Sequence, residues 1–256
     1  MNRGEGFEDI ISSFHGLRKF EYHGGPEDDE SYLNIRALLD VNESTLKHLI
    51  LDDCDVSETS LDSVFESVTI NNLTHLDLSY TMDISGSVLG RISKAENLQS
   101  LTLCGSFEPE YASQLFVAHR FPHLESFTFT MVDVDEEMYY SVVSFLKKRE
   151  KLRRLDLGNC PWDIILEVLP TLRNLRVLAV NFNELSQEEI EDFVKALPTQ
   201  MVAIEISADS QIPLVCIFSF LSCSQVTHSL IRTNVLPISL AFTHCPSCTS
   251  DSPRTQ

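Results

Sequence analysis

Basic residues are scarce in this chain. Lysine and arginine together number 19 against 38 aspartates and glutamates, which gives a formal net charge of −19 over 256 residues. A protein that grips nucleic acid neutralises phosphates with a basic surface. The charge balance therefore argues against a nucleic-acid partner, and we interpret the excess acid as a solvated surface that keeps the protein soluble.

Long apolar runs are missing as well. The most apolar stretch, residues 212–223, has only 12 residues, whereas a helix that spans a bilayer needs about 20, so we expect no membrane span. Residues 1–9 contain no apolar run of the kind that starts a secretory signal. We therefore predict a cytoplasmic or nuclear protein, in which Cys54, Cys104 and Cys160 are free thiols.

The signatures of common catalytic sites are absent too. The sequence contains no glycine-rich phosphate loop, nucleophile elbow, HExxH motif or kinase signature. His244, Cys245 and Cys248 form one Cys-x-x-Cys knuckle with a neighbouring histidine, but a zinc site needs four ligands and no second pair has suitable spacing. We predict a protein that is not an enzyme and binds neither a cofactor nor a metal.

The chain does contain a repeated frame, Leu-x-x-Leu-x-Leu. Successive copies begin 23 to 29 residues apart, within the roughly 20–29-residue range of leucine-rich repeats. The clearest copies begin at Leu46, Leu73, Leu98 and Leu152, and copies with other apolar residues begin at Leu17, Leu124, Leu175 and Met201.

This frame has a direct structural meaning. Alternate residues of a strand face opposite sides, so the fourth and sixth frame residues share one face, which only stacked copies can bury. Between the frames, apolar residues such as Leu61, Val64 and Phe65 recur at helical spacing, and Ser186 with Glu189 is typical of a capping box. The pattern predicts an α/β solenoid, a right-handed horseshoe with a parallel sheet on its concave face and helices on its convex face.

The repeats with a cysteine at the ninth position, Leu46–Cys54 and Leu152–Cys160, allow a finer comparison. They resemble the ribonuclease-inhibitor-like leucine-rich repeats found in F-box proteins, and the resemblance covers residues 7–209, which we take as one domain of about eight repeats. In such proteins the repeats hold a substrate while a separate F-box binds the ubiquitin ligase core. Sixteen residues precede Leu17, so we expect the F-box itself to be absent.

The function implied by the resemblance is protein binding through the concave face, as in the substrate-recognition part of an SCF-type ubiquitin ligase. Two alternatives stay open. One is a regulator of a nuclease or a small GTPase, because such regulators share the fold. The other is a metal-dependent hydrolase at a patch formed by His48, His75 and Asp77, which the usual role of repeat surfaces makes the weaker hypothesis.

The predicted binding residues occupy the third, fifth, seventh and eighth frame positions, which point to the concave face. Tyr80, Met131 and Phe182 are expected as exposed apolar anchors, whereas Trp162 is expected to pack at a repeat junction. The candidate partner-binding residues are His48, Ile50, Asp52, His75, Asp77, Tyr80, Thr102, Thr128, Met131, Arg154, Asp156 and Phe182.

The repeat pattern stops after Asp209. Residues 210–256 are apolar and rich in serine, cysteine and proline, and they hold one acidic residue, Asp251. We expect residues 212–223 to form an extra strand or cap over the last repeat, because a solenoid needs its open end covered. A membrane-surface segment or a poorly ordered end is the alternative.

Overall fold

The structure is a computed structural model, and the residues it describes form one sheet of ten strands whose spatial order is their order in the chain. Strands β1 to β9 pair in parallel, and β10 runs antiparallel to β9. The strands are β1 Lys19–His23, β2 His48–Asp52, β3 His75–Thr81, β4 Ser100–Gly105, β5 Ser126–Met131, β6 Arg154–Asp156, β7 Val177–Asn181, β8 Ala203–Ser207, β9 His228–Arg232 and β10 Pro237–Ala241. The residues described are 13–24, 29–53, 58–66, 68–81, 84–105, 111, 115–131, 136–158, 160–181, 186–198, 200–207, 228–232 and 237–241.

Helices connect many of these strands, as expected for parallel neighbours. Ser186 and Glu189 cap the last of the helices through Ser186 N–H to Glu189 Oε2 (2.8 Å) and Glu189 N–H to Ser186 Oγ (3.3 Å), which confirms the predicted capping box. The helices are α1 Asp29–Asn42, α2 Glu58–Glu66, α3 Gly86–Ile92, α4 Glu136–Leu146, α5 Trp162–Val168 and α6 Gln187–Ala196, with 3₁₀ turns at Ile70–Asn72 and Leu169–Thr171.

The strand register aligns the repeats frame on frame. Leu76 of β3 lies beside Leu49 of β2 and Leu101 of β4, and Leu78 lies beside Leu103. These leucines are buried in one cluster that also contains helix residues, among them Phe145, Phe193 and Ile165. The helices therefore cover the leucine face of the sheet. The α/β leucine-rich-repeat solenoid predicted from the frame is confirmed.

The backbone at the ends of β2, β3 and β4 explains the residues at the end of these three frames. Asp53, Tyr80 and Gly105 share the eighth position and have positive φ, at 55°, 53° and 156°. A Cβ on Gly105 would stand 2.2 Å from the Thr81 carbonyl oxygen, so this turn requires glycine. Thr81, at the ninth position, is buried and donates from Oγ1 to the Leu51 carbonyl at 3.1 Å, which links the end of β3 to β2.

A buried arginine joins two neighbouring repeats. Arg149, just after α4, donates from Nε to the Phe145 carbonyl (3.3 Å) and from Nη1 to the Phe121 carbonyl (2.9 Å). Its Nη1 also donates to the Arg120 carbonyl, and its Nη2 donates to the Ala118 carbonyl. Burial lowers its pKa, and its guanidinium lies 4.5 Å from the centre of the Phe145 ring. The sequence alone did not single out this residue.

The tail after Asp209 contributes two strands to the sheet. Ala203 of β8 pairs with His228 of β9, and Ile231 of β9 pairs with Ile238 of β10. The segment predicted as a cap, residues 212–223, lies outside the described residues, as does the cysteine knuckle at residues 244–248. Among the helices of the described residues, none is long and apolar enough to cross a membrane.

Candidate functional site

The sheet face opposite the leucines carries nine of the predicted binding residues, namely His48, Ile50, Asp52, His75, Asp77, Thr102, Thr128, Arg154 and Asp156. We call it the open face and define it by the third, fifth and seventh frame residues of β1 to β8. In β2 and β3 the leucines are buried while the intervening residues are half-buried. Apolar residues of this face, such as Ile50 and Val177, do not belong to the core cluster shared with the helices. The open face thus projects away from the helices.

Pairing between strands arranges these side chains in rows. Neighbours within a row are about 4.8 Å apart, the spacing of paired strands. One row is Lys19, His48, His75, Ser100, Ser126, Arg154, Val177 and Ala203, and the next is Glu21, Ile50, Asp77, Thr102, Thr128, Asp156, Ala179 and Glu205.

The two predicted histidines form a stacked pair. The ring centres of His48 and His75 are 4.0 Å apart with 16° between the ring planes, and the Thr74 hydroxyl lies 2.9 Å from His75 Nδ1. Burial lowers the pKa of His75 below its ordinary value of 6.5, and His48 lowers it further. The nearby Asp77 accepts from the Ser79 N–H at 3.0 Å and hydroxyl at 2.5 Å.

This geometry bears on the hydrolase alternative. Stacked rings cannot hydrogen-bond to each other edge to edge, and the Asp77 carboxylate is held by its own turn. Within the ranges that the structure describes, no group of three or more histidine, cysteine or acidic residues is arranged to hold a metal ion. The patch therefore supplies a polar surface. None of its three residues is positioned as a base against a nucleophile from the same set.

The His75 environment predicts a pH effect on stability. Because the folded-state pKa is depressed, the unfolded chain binds the proton first as the pH falls through about 6.5. The folded state then loses stability, and the loss levels off below the folded-state pKa. We expect His75→Gln to lose less unfolding free energy than the wild type between about pH 7.5 and pH 5.5. Urea denaturation at both pH values measures this, and identical losses would contradict it.

Asp52 belongs to a charged cluster at the β1 edge of the face. His23 Nδ1 lies 3.0 Å from Asp52 Oδ2, and His23 Nε2 lies 2.9 Å from Glu21 Oε1. The hydrogen bond to Asp52, followed by that to Glu21, raises the pKa of His23. Lys19 also pairs with Glu21 and lowers its pKa. Residues of the third, fifth and seventh frame positions therefore meet here in one cluster of charged side chains.

The centre of the face is lined with hydroxyl groups and one thiol. Thr102 and Thr128 lie side by side on β4 and β5, and both are half-buried. Burial raises the pKa of Cys104 to about 11, so its sulfur stays a thiol at neutral pH and is a poor nucleophile. The centre offers hydrogen bonds rather than covalent chemistry.

Arg154 is committed to an ion pair that the sequence did not predict. Its Nη1 and Nη2 donate to Glu205 Oε1 and Oε2 at 3.0 and 2.9 Å, a bidentate pair that reaches from β6 to β8 across β7. The small Ala179 lies beside Glu205 on β7. Burial raises the pKa of Asp156, which accepts from the Gly158 N–H at 3.1 Å. The sequence did contain a signal for this pair. Arg154 and Glu205 have opposite charges and lie on the same face two repeats apart, and the repeat between them carries the small Ala179.

The predicted anchors have different positions. Tyr80 is 69% exposed and lies at the end of β3. Met131 ends β5, but its side chain lies outside the described residues, as does all of Phe182. Trp162 packs at a repeat junction as predicted, because its ring centre is 4.8 Å from that of Phe193 and its Nε1 donates to the Glu189 carbonyl at 3.2 Å.

Comparisons with known proteins add structural neighbours. No family model matches the sequence, and no curated protein does. The leucine-rich repeat-containing protein LegL7 from Legionella pneumophila is similar with a TM-score of 0.42 and 12% identity, over 88% of this chain and 97% of that one. The TLR13 chain of a TLR13–ssRNA13 complex is similar with a TM-score of 0.40 and 14% identity, over 77% of this chain and 30% of that one. The fold assignment rests on the register and the core described above.

Proposed function

We propose that this protein binds another protein through its open face, as the substrate-recognition part of an SCF-type ubiquitin ligase. The observation that carries the proposal is the set of aligned, half-buried polar side chains on the face that projects away from the helices. Their strands hold them in register, so little conformational entropy is lost when a partner orders them. A rigid polar platform of this kind suits recognition of a protein surface.

The charges of the open face favour a particular partner chemistry. At the β1 to β3 end the carboxylates of Glu21, Asp52 and Asp77 outnumber the basic groups of Lys19 and His23, and the hydroxyls of Thr102 and Thr128 follow toward the centre. Complementary potential raises the rate of encounter and selects partners. We therefore expect the partner to bring basic side chains to the β1 to β3 end and hydrogen-bonding groups to the centre.

Tyr80 is the proposed anchor of this interface. A left-handed backbone costs a residue with a Cβ about 1–2 kcal/mol, and Tyr80 adopts it at φ 53° while its side chain stays exposed. Because the ring is exposed, it adds little packing energy to the core. The backbone strain at Tyr80 is therefore not offset by burial of its side chain. Exposed aromatic residues beside a polar surface are typical of binding hot spots.

The test of the ligase assignment is affinity purification of the whole chain followed by mass spectrometry. We expect to recover a protein that is a substrate of a ubiquitin ligase, and we expect this substrate to be lost from Tyr80→Ala. Recovery of a nuclease or a small GTPase in place of such a substrate would favour the regulator alternative. A set of proteins unchanged by Tyr80→Ala would contradict binding at this site.

Substitution of Tyr80 separates binding from folding. Tyr80→Gly should weaken capture of the recovered partner by about 1–4 kcal/mol, because the ring is lost. Its melting temperature should stay equal or rise, since glycine adopts a positive φ without steric cost. Calorimetric titration and thermal melts measure the two effects.

The matched control is Glu66→Ala on α2, which removes an exposed side chain on the helical side of the sheet. We expect it to leave partner binding nearly intact. Equal losses from Glu66→Ala and Tyr80→Gly would indicate attraction by overall charge, and loss from Glu66→Ala alone would contradict the open-face assignment.

A further inference from the structure

Positive charge is concentrated in one part of this acidic chain. Residues 147–176 hold eight of the 19 lysines and arginines but only four of the 38 acidic residues. Arg154 from this set is paired on the open face, and Arg149 is buried among carbonyls. Several of the others lie at the edge of the sheet where the strands begin, away from the open face.

Part of this edge forms a groove, which we call the basic groove. It has a volume of about 480 Å³ and is lined by Glu125, Lys151, Arg153, Asn174 and Arg176. The Arg153 N–H donates to the Glu125 carbonyl at 2.7 Å, and the Arg176 N–H donates to the Arg153 carbonyl at 2.7 Å. These three residues hold the same repeat position just before β5, β6 and β7, so they stand in a row about 4.8 Å apart.

The cations of the basic groove keep donors available to a ligand. The Arg153 side chain is 68% exposed, and its Nε lies 3.6 Å from Glu125 Oε2. Arg176 is exposed and uses Nη1 to donate to the Gln200 carbonyl at 3.0 Å, while a guanidinium has five N–H donors. Lys151 Nζ lies 3.0 Å from His123 Nδ1. The lining of the groove therefore holds three cationic side chains and the one carboxylate of Glu125.

We propose that the basic groove binds a short carboxylate-rich segment of a partner protein. Two arginine forks in a row match carboxylates, which accept guanidinium donors in pairs. The row from Glu125 to Arg176 covers two strand spacings, about 10 Å, which corresponds to about three residues of an extended peptide. Glu125 determines how the bound peptide is aligned in the groove. The carboxylates of the peptide lie opposite Arg153 and Arg176, and a neutral or basic residue lies opposite Glu125.

A long polyphosphate chain fits this groove less well than a short acidic peptide. A nucleic acid is longer than the three repeats of the groove, so it also lies along the rest of a molecule whose net charge is −19. Charges separated by more than about 8 Å are largely screened at physiological salt. A short ligand therefore experiences the local cations, and a long one experiences the acidic protein as well.

The test uses the full chain, fluorescein-labelled hexaglutamate and fluorescence anisotropy at about 0.15 M salt. We expect hexaglutamate to bind, and we expect the double variant Arg153→Gln/Arg176→Gln to bind it about tenfold more weakly or worse. Lys94→Gln/Lys195→Gln removes the same charge from exposed sites elsewhere and should bind like the wild type. Thermal melts check that each variant is folded.

Three results would overturn the proposal. Hexaglutamate could fail to bind the wild-type chain, or both double variants could lose equal affinity, which would indicate charge alone. Labelled hexathymidylate could bind more tightly than hexaglutamate, which would assign the groove to nucleic acid. None of these results depends on the open face, because the groove and Tyr80 occupy different parts of the surface.

Discussion

Leu78→Asp is expected to abolish the cooperative folding of the repeats. Leu78 is 0% exposed on β3 and pairs with Leu103 on β4, inside the cluster that joins strands and helices. An ionised carboxylate there has no partner, and burying it costs several kcal/mol. Domains are stable by only about 5–15 kcal/mol, and neighbouring repeats depend on each other. Circular dichroism during urea titration measures the result.

Two further variants calibrate this prediction. Leu78→Ala leaves a cavity and should reduce the unfolding free energy by about 2–5 kcal/mol. Ser100→Asp adds the same carboxylate on the open face of the adjacent strand, where the side chain is half-buried, and should change stability by about 1 kcal/mol or less. A melt of Leu78→Asp that matches that of Ser100→Asp would mean that the inward and outward positions are exchanged.

Arg149→Ala should be nearly as damaging, although it removes a charged residue. Its guanidinium supplies donors to the carbonyls of Ala118, Arg120 and Phe121, which precede β5, and to Phe145 of α4. A hydrogen bond to a charged donor contributes about 1.5–3 kcal/mol, and Arg149→Ala removes several of them together with a buried side chain, so we expect a loss of about 3–5 kcal/mol in unfolding free energy. Urea denaturation provides the measurement.

The adjacent residue offers a matched control for Arg149. Lys148 is exposed, and Lys148→Ala should change stability by about 0.5 kcal/mol or less. Arg149→Lys should recover only part of the loss, because an ammonium cannot reproduce the fork of the guanidinium. If Arg149→Ala and Lys148→Ala had equal effects, Arg149 would not be joining the two repeats.

Much of the fold followed from the sequence because the repeat pattern is local and recurs eight times. The Leu-x-x-Leu-x-Leu spacing predicted which residues are buried, and Leu49, Leu76 and Leu101 are aligned accordingly. The capping box of Ser186 and Glu189 is also encoded within four residues. Such features need only the periodicity of one strand or the first turn of one helix.

Apart from the patch of His48, His75 and Asp77, interactions between side chains on different strands were not predicted. The sequence placed Arg154 and Asp52 on one face, but their partnerships with Glu205 and His23 depend on side-chain reach and on the space left by intervening residues. Arg154 reaches Glu205 two strands away, across β7, where Ala179 is small. The predicted face therefore contains residues that are paired within the protein, which the frame alone does not reveal.

The sequence by itself determined the solenoid, its leucine core and the identity of its open face, because strand periodicity decides which side each residue occupies. Only the tertiary structure decided the roles of Arg149 and of the basic groove. Residues of the groove such as Glu125 and Arg176 are 51 positions apart, and the stacking of repeats makes them neighbours. The tail shows the same division: the sequence indicated a change after Asp209, and the pairing of β9 with β8 is a property of the assembled sheet.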